Sequence, residues 1–458
     1  MTTGRLAPPS QSGHAMVSAR LAYALTPRAL MLLGAGLIWF VPSLIDRRAL
    51  LVMAGWDLLI LALVAVEFFR LPSPAQLRVT RTWGSPLSIG TPATVTLSFQ
   101  NEGRHAAFLR AADYVSPSLR PDLAVLHRAV PAGADAEASF EVHPKERGDH
   151  EIGGVALSWT GAWGLAERWG IVPLAQTVRV YPDLAEGRDE AMYLIRSRQI
   201  TLEKRRTRFT GTGREFESLR DYRDGDEQRD VCWPVSARRG RLVTKLYQPE
   251  RSQAVWVLVD AGRLLRARVG DRTMLDVSVT AALTLAQVAL GSGDRVGLLA
   301  YGRRLQHRLA PARGAAHLRT VVEALATVKA DGVDADHAAA AGTLLSAQKR
   351  RALIVWLTEI AETAGVPDVI EQATAMSSRH VVLFAVMRQP EMQALADTAP
   401  ATNAEMYRVA AAQEALDRRE ALLHGLRQRG ALVLEVSPAE LSAGVVDRYL
   451  ETRERGLL

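Results

Sequence analysis

Cysteine is almost absent. Cys232 stands alone among 458 residues, so no intramolecular disulfide framework can form, which fits a reducing compartment. With no paired Cys-x-x-Cys and no His-Glu-x-x-His, a zinc site lacks ligands at the usual spacings. No Gly-x-x-x-x-Gly-Lys loop occurs, so the chain does not read as a P-loop NTPase. Gly211-Thr212-Gly213 lacks both a convincing preceding strand and the third glycine of a dinucleotide fingerprint. His307, His317, His337 and His380 are scattered singletons. Cys232 adjoins Trp233 and reads as a buried structural thiol rather than a nucleophile. These absences leave no catalytic constellation, and the expectation is a protein that is not an enzyme.

A chain of this length holds about two or three domains. Hydrophobic residues make up 48% and charged residues 23%, ordinary for a globular protein with some membrane-embedded chain. Net charge +7 and a pI near 9.7 favour acidic partners, anionic lipid headgroups and nucleic acid among them. Sparse aromatic interleaving in the basic stretches and the lack of a recognisable module argue against nucleic acid.

Residues 1–28 form a polar tail, expected to be disordered or peripheral. Within 29–69, two apolar runs follow, the uncharged Ala29 to Ile45 and then Ala49 to Phe69 with Asp57 near its middle and Glu67 near its end, split by Asp46-Arg47-Arg48. Their lengths predict a transmembrane helical hairpin. A cleavable signal peptide is disfavoured, because a second apolar run follows at once with no small-residue cleavage pattern between. Arg20 and Arg28 before it, and Arg70, Arg78 and Arg81 after it, place both ends in the cytoplasm, although Arg47 and Arg48 in the turn pull the other way. Asp57 falls inside the second run and is read as a helix–helix hydrogen-bonding or interfacial group before a functional carboxylate.

From 76 to 185 the period changes to two. Thr94 to Phe99, Ala136 to Val142, Ile152 to Trp159 and Thr177 to Tyr181 alternate between turn signals, which predicts a small β-sandwich. Trp159 and Trp163 in a Gly-rich bend read as core anchors. Residues 186–250 form a connector, basic at Lys204, Arg205, Arg206 and Arg208. From 251 to 458 apolar strands such as AVWVLVD and ALIVWL alternate with helices, predicting a doubly wound α/β domain. In such sheets ligands sit beyond the carboxyl ends of strands, which points to Asp260 and Glu359.

The connector ends in the most crowded stretch of the chain, 211–238. Apolar Phe216, Leu219 and Tyr222 follow Gly213 at helical spacing, and Gly225-Asp226 is a turn signal. Gly211, Gly213, Glu215, Phe216, Arg220, Tyr222, Gly225, Asp226, Arg229, Trp233 and Arg238 carry two readings. One is a docking surface. The other is a clamp in which Glu215, Asp226, Arg229 and Arg238 pair and Trp233 plugs an apolar gap. An alternating, solvated charged face is the plain alternative to both.

Those spaced residues, continued through Ser236, Ala237, Leu242, Lys245 and Glu250 into the Asp260 strand, resemble the domain-of-unknown-function 58 (DUF 58) family. The resemblance implies a bacterial inner-membrane protein with a von Willebrand factor A-like domain, its soluble parts on the cytoplasmic side. It also implies a non-catalytic adaptor or scaffold beside a MoxR-type AAA+ ATPase, in complex maturation or envelope processes. The partners implied are that ATPase and inner-membrane lipid. Von Willebrand A domains often hold Mg²⁺ through an Asp-x-Ser-x-Ser loop. The loop here reads Asp260-Ala261-Gly262-Arg263-Leu264, with both serines replaced. A divalent-metal-dependent ligand-binding module using Asp260 and Glu359 is therefore the second expectation, through a degenerate metal site; otherwise no cofactor is expected.

Overall fold

The polar segment ahead of the first apolar run contributes strands where it is described. The structure is a computed structural model that describes residues 10–16, 23–183, 215–223, 226, 228–248, 253–359 and 366–457. In it β1 (Gln11–His14) and β2 (Tyr23–Leu25) are strands of the β domain, correcting the expected disordered tail. β1 pairs with β3 (Leu77–Trp83), and β2 with β11 (Ala166–Val172), both antiparallel. Backbone pairing across the hairpin outweighs local polarity. The apolar hairpin is thus an insertion within one β domain, and both its ends return to that domain.

The chain divides into two compact units, Met1–Asp183 and Leu184–Leu458. In the first, the run expected as one spanning helix is broken. α1 (Pro27–Gly36) passes through a 3₁₀ turn at Leu37–Trp39 into α2 (Phe40–Ser43). Gly34 and Gly36 weaken the helix, and Pro42 removes an amide donor near its end. α3 (Arg48–Arg70) is continuous over 23 residues, about 34 Å at 1.5 Å per residue. Two helices are long and apolar enough to cross a membrane, α3 and Met274–Gly291, but the second is 78% buried inside its own unit. α1 and α3 meet where Gly36 faces Asp57: an added Cβ would lie 2.5 Å from Asp57 Oδ1. The interhelical hydrogen bond comes from Trp56, whose Nε1 donates to Leu32 O at 2.8 Å, and not from Asp57.

The hairpin is seated on a single loop. Glu67, in the last turn of α3 and only 2% exposed, accepts backbone N–H groups from Trp163, Gly164, Leu165 and Ala166 at 2.5–2.9 Å. A side chain at Gly161 would meet Glu67 Oε1 at 2.6 Å, so glycine opens the way for the carboxylate. From the other end of the hairpin, the Thr26 hydroxyl donates to Gly164 O and its N–H to Leu165 O. Trp159 is fully buried as expected, donating to Pro72 O, whereas Trp163 is half-exposed with the Arg70 guanidinium 5.2 Å over its ring. Trp163 is thus not a core anchor; it belongs to the loop that receives the helix.

The other strands are β4 (Leu87–Ser88), β5 (Ala93–Asn101), β6 (Ala107–Asp113), β7 (Ala124–Val130), β8 (Asp135–Val142), β9 (Gly148–Ile152), β10 (Val155–Thr160) and β12 (Gln176–Tyr181). They form three sheets around one core, in orders β1-β3-β5-β8, β2-β11-β10-β6-β7 and β4-β12-β9. The run read as one strand from Ile152 to Trp159 is two, parted at Gly153-Gly154. Arg81 of β3 reaches through this core to the Asp113 carboxylate at the end of β6, and both are fully buried. Its other donors meet Leu174 O and Gly153 O. Burial still raises the Asp113 carboxyl above its ordinary range, against the pull of Arg81.

In the second unit, the crowded stretch is a strand and not a helix. β13 (Glu215–Asp221) pairs antiparallel with β14 (Val243–Gln248), and the register shifts between Phe216 and Ser218. A bulge adds one residue to the alternation, so apolar residues three apart fit a strand as well as a helix. α4 (Trp233–Arg239) lies between, ended by Gly240 at φ 65°. Then follow β15 (Ala254–Asp260), β16 (Arg268–Val269), β17 (Arg272–Thr273), α5 (Met274–Gly291), β18 (Arg295–Tyr301), β19 (Leu305–Ala312), α6 (Gly314–Thr327) and α7 (His337–Ala347). β20 (Leu353–Leu357), α8 (Val366–Ser377), β21 (Val381–Met387), α9 (Pro390–Ala396), α10 (Asn403–Gln428), β22 (Leu432–Val436) and α11 (Leu441–Glu454) complete the chain. The sheet order is β19-β18-β15-β20-β21-β22, parallel except for β19. α7, α8 and α10 cover one face over Trp256, Trp356 and Phe384, while α5 packs with α6 and α11.

Glu67→Ala leaves four amides of the 163–166 loop without their acceptor. The expected loss is roughly 3 kcal/mol or more, with Glu67→Gln intermediate because one oxygen still accepts. Thermal unfolding of the full chain in detergent measures it; a loss below about 0.5 kcal/mol for the alanine variant contradicts the seat.

Candidate functional site at the carboxyl edge of the parallel sheet

The strand order reverses direction between β15 and β20, which is where ligands enter doubly wound sheets. Asp260 closes β15 there and is 3% exposed. Its Oδ1 accepts the Gly262 N–H at 2.7 Å, and its Oδ2 accepts the Thr358 hydroxyl at 2.6 Å. Burial raises the Asp260 carboxyl above its ordinary value, ahead of the opposing influence of His337 and the Thr358 bond. Behind it Trp356 Nε1 donates to the Tyr301 hydroxyl at 2.5 Å, and that hydroxyl lies 3.0 Å from His337 Nδ1. Burial and the nearby Asp260 hold the Tyr301 phenol well above its usual range, so it stays protonated.

The facing loop, 331–336, is rich in acids, but each is engaged within the fold. Asp331 accepts the Arg303 N–H, Asp334 pairs with Arg263, and Asp336 caps α7 by accepting the Ala339 N–H. The loop is held close by Arg263 N–H to Val333 O and Asp331 N–H to Ala261 O. An added Cβ at Gly262 would meet Ala335 N at 2.9 Å. A serine at this position of the loop has no room, so the space of that ligand is filled as well as its hydroxyl missing.

Glu359 follows β20 and is buried, but it faces a cation. Its Oε1 pairs with Arg419 of α10, whose second guanidinium nitrogen donates to Met387 O at 2.7 Å. Gln389 also donates to Glu359 Oε1, and Glu435 lies 3.5 Å from Arg419 Nε. Asp260 and Glu359 thus point their charge to different partners, Thr358 and Arg419. Among the described residues no group of three His, Cys, Asp or Glu side chains converges as a metal site. With the Asp260 carboxylate taken up by Thr358 and the Gly262 amide and Glu359 paired with arginine, these residues do not fit a divalent cation.

Among the described residues of the family-like stretch, Asp226 gathers several bonds. Arg220 pairs with Asp226 at 2.6 Å, Asp226 accepts the Arg223 N–H, and the Tyr222 hydroxyl donates to Asp226 O. The Arg223 amide and then the Arg220 guanidinium hold the Asp226 carboxyl below its ordinary value. The Ser236 hydroxyl joins α4 to β14 by accepting the Val243 N–H at 2.9 Å, and Cys232 N–H donates to Val243 O. Cys232 is only partly buried. Trp233 is 65% exposed and Arg238 is exposed, so Trp233 does not plug an apolar gap. A tryptophan in the first helical turn followed by Pro234 has its Cβ directed back along the helix, out of the strand ladder. Glu215, Phe216 and Arg229 have described backbone only; Gly211, Gly213 and Gly225 lie outside the described residues.

Three groups escaped sequence reasoning. Arg419 stands on the buried stripe Val409, Ala412, Leu423, Leu426 of α10, and a cation on an apolar stripe must find a carboxylate. That spacing was the available signal. Glu67 and the Tyr301–His337 pair had none, because their partners come from distant chain.

Residues 218–420 match the family model described as Protein of unknown function DUF58. This range runs from within β13 through β21 to Arg419 of α10, and ends before β22. The uncharacterized protein Rv1480 of Mycobacterium tuberculosis is 25% identical over 268 residues, which cover 54% of this chain and 82% of that protein. The uncharacterized protein YeaD of Bacillus subtilis is 26% identical over 204 residues, 43% of this chain and 46% of that protein. Among solved structures, proximal thread matrix protein 1 from the mussel byssus aligns over 44% of this chain and 47% of that one, at 11% identity and a TM-score of 0.28.

Arg419→Met leaves Glu359 buried without its cation and is expected to cost roughly 3–5 kcal/mol, while Arg419→Met with Glu359→Leu restores most of that. Chemical denaturation of single and double variants checks it; equal losses contradict the pairing. A raised pKa means that the stability linked to protonated Asp260 is fully present below about 3.8 and is lost as pH rises through the folded value. Asp260→Asn stays neutral. Its stability relative to the unchanged chain is therefore expected to rise between pH 3.5 and pH 7. A difference that is flat or falls over that interval overturns the assignment.

Proposed function

We propose that this protein is a non-catalytic, membrane-anchored adaptor that presents its second unit to a AAA+ ATPase of the MoxR type. The carrying observation is the module of β13, α4 and β14: Arg220 pairs with Asp226 and Arg241 with Asp221, while Trp233 is 65% exposed. A large aromatic on an otherwise self-satisfied surface is the kind of anchor that dominates protein–protein interfaces. The engaged carboxyl edge of the sheet supports an adaptor rather than a metal-dependent ligand-binding module. The strand order with an antiparallel β19 accords with a von Willebrand factor A-like domain. α3, with 6% of its apolar window buried, supports a bilayer anchor, and Arg28 and Arg70 flanking the hairpin support ends facing the cytoplasm.

Trp233→Ala is expected to weaken co-purification of the ATPase from its native membrane at least tenfold, about 1.4 kcal/mol, and leave the thermal unfolding midpoint unchanged within about 2 °C. Full retention of the ATPase by a normally folded variant removes the docking assignment.

A further inference from the structure

The amino edge of the second unit's sheet gathers cations. At the carboxyl edge acids and arginines are paired. At the opposite edge, the loops entering β20, β21 and β22 carry Lys349, Arg350, Arg351, Arg379, Arg427 and Arg429, all exposed. No Asp or Glu occurs in 344–358, 372–387 or 421–434. Register places the three loops side by side: Leu353 opposes Val381, and Leu383 opposes Leu432, with Val381 N–H donating to Ala352 O. Adjacent strands lie about 4.8 Å apart, so the six cations crowd a narrow edge.

Cations gather at helix carboxyl ends for a local reason, and α7, α8 and α10 all end here. Lys349 Nζ donates to Leu345 O, and Arg429 to Gly425 O. Three helix ends supply roughly −0.5 charge each, far short of six full positive charges. Among the described residues none of the six has a carboxylate within ion-pair distance. The surplus acts on the interior: His380, 3% exposed between Ser377 and β21, is held below its ordinary pKa by burial first and then by Arg379 and Arg351. Neither of its ring nitrogens has a hydrogen-bond partner.

We infer that this amino edge is a contact surface for anionic lipid headgroups. The inference rests on the reading of the hairpin as a membrane anchor. A protein docking site needs an apolar centre, and among the described residues of 344–358, 372–387 and 421–434 Leu432 alone is an exposed large hydrophobic, at 37%. Single-stranded nucleic acid calls for aromatic stacking, and these loops contain no Phe, Tyr or Trp. A flat row of Lys and Arg without either feature fits a polyanionic surface. The anchor ties the chain to the bilayer that carries such headgroups.

The test is hydrogen exchange on the full chain in nanodiscs of phosphatidylcholine alone or with phosphatidylglycerol. Exchange in 348–352, 378–381 and 427–431 is expected to slow about tenfold with the anionic lipid, and the effect to fade at 0.5 M salt. Arg350→Glu with Arg379→Glu and Arg427→Glu is expected to abolish the slowing while insertion into discs persists. Insertion with equal exchange in both lipids overturns this inference alone. Protection that appears only on adding polyglutamate or an oligonucleotide overturns it in favour of an acidic protein or nucleic acid. Failure to enter either disc overturns both this inference and the anchor.

Discussion

One carboxylate governs the first unit. Glu67 takes up four amides of the 163–166 loop, a set of bonds that neither water nor a neutral side chain reproduces in a buried site. It fixes where α3 stops and the β domain begins. Thr26 holds the same loop from the other end of the hairpin, and β1 and β2 are built into sheets completed after it. An apolar hairpin that left its domain by one route and returned by another would swing on flexible links. Here entry and exit converge on one glycine-bearing loop, and the hairpin is part of the β domain's own framework.

The second unit follows a similar logic with buried ion pairs. Arg419 joins α10 to the end of β20 through Glu359, and Asp260 is tied to Thr358 across the point where strand order reverses. In other doubly wound sheets that crevice is left open for a ligand. In this one, among the described residues, Asp260 is engaged by Thr358 and Glu359 by Arg419. Among its exposed features are the face of α4 with Trp233 and the cationic amino edge.

Much of this was legible in the sequence. The strand–helix alternation after Ala254 predicted the doubly wound sheet, because buried parallel strands such as AVWVLVD are apolar throughout. The period-two runs gave β5, β8 and β12. Failures fell where long-range pairing overrides local pattern. Gln11–His14 is too short and polar to announce a strand until β3 pairs with it. Phe216, Leu219 and Tyr222 imitate a helix because a bulge shifts the alternation of β13. At the site, Asp260 and Glu359 were found by position, but their partners were not, since Arg419 lies 60 residues beyond Glu359. A carboxylate in a sequence looks the same whether it is a vacant ligand or already neutralised.

We propose α4 as a gripping surface for an ATPase partner. A photoreactive phenylalanine analogue in place of Trp233, in living cells, tests it most directly, with the same analogue at exposed Tyr407 as control. The account predicts one ultraviolet-dependent adduct at position 233, identified by mass spectrometry as a protein with a nucleotide-binding P-loop, and none at 407. Adducts of equal yield and identity at both positions, or none at 233, would contradict it.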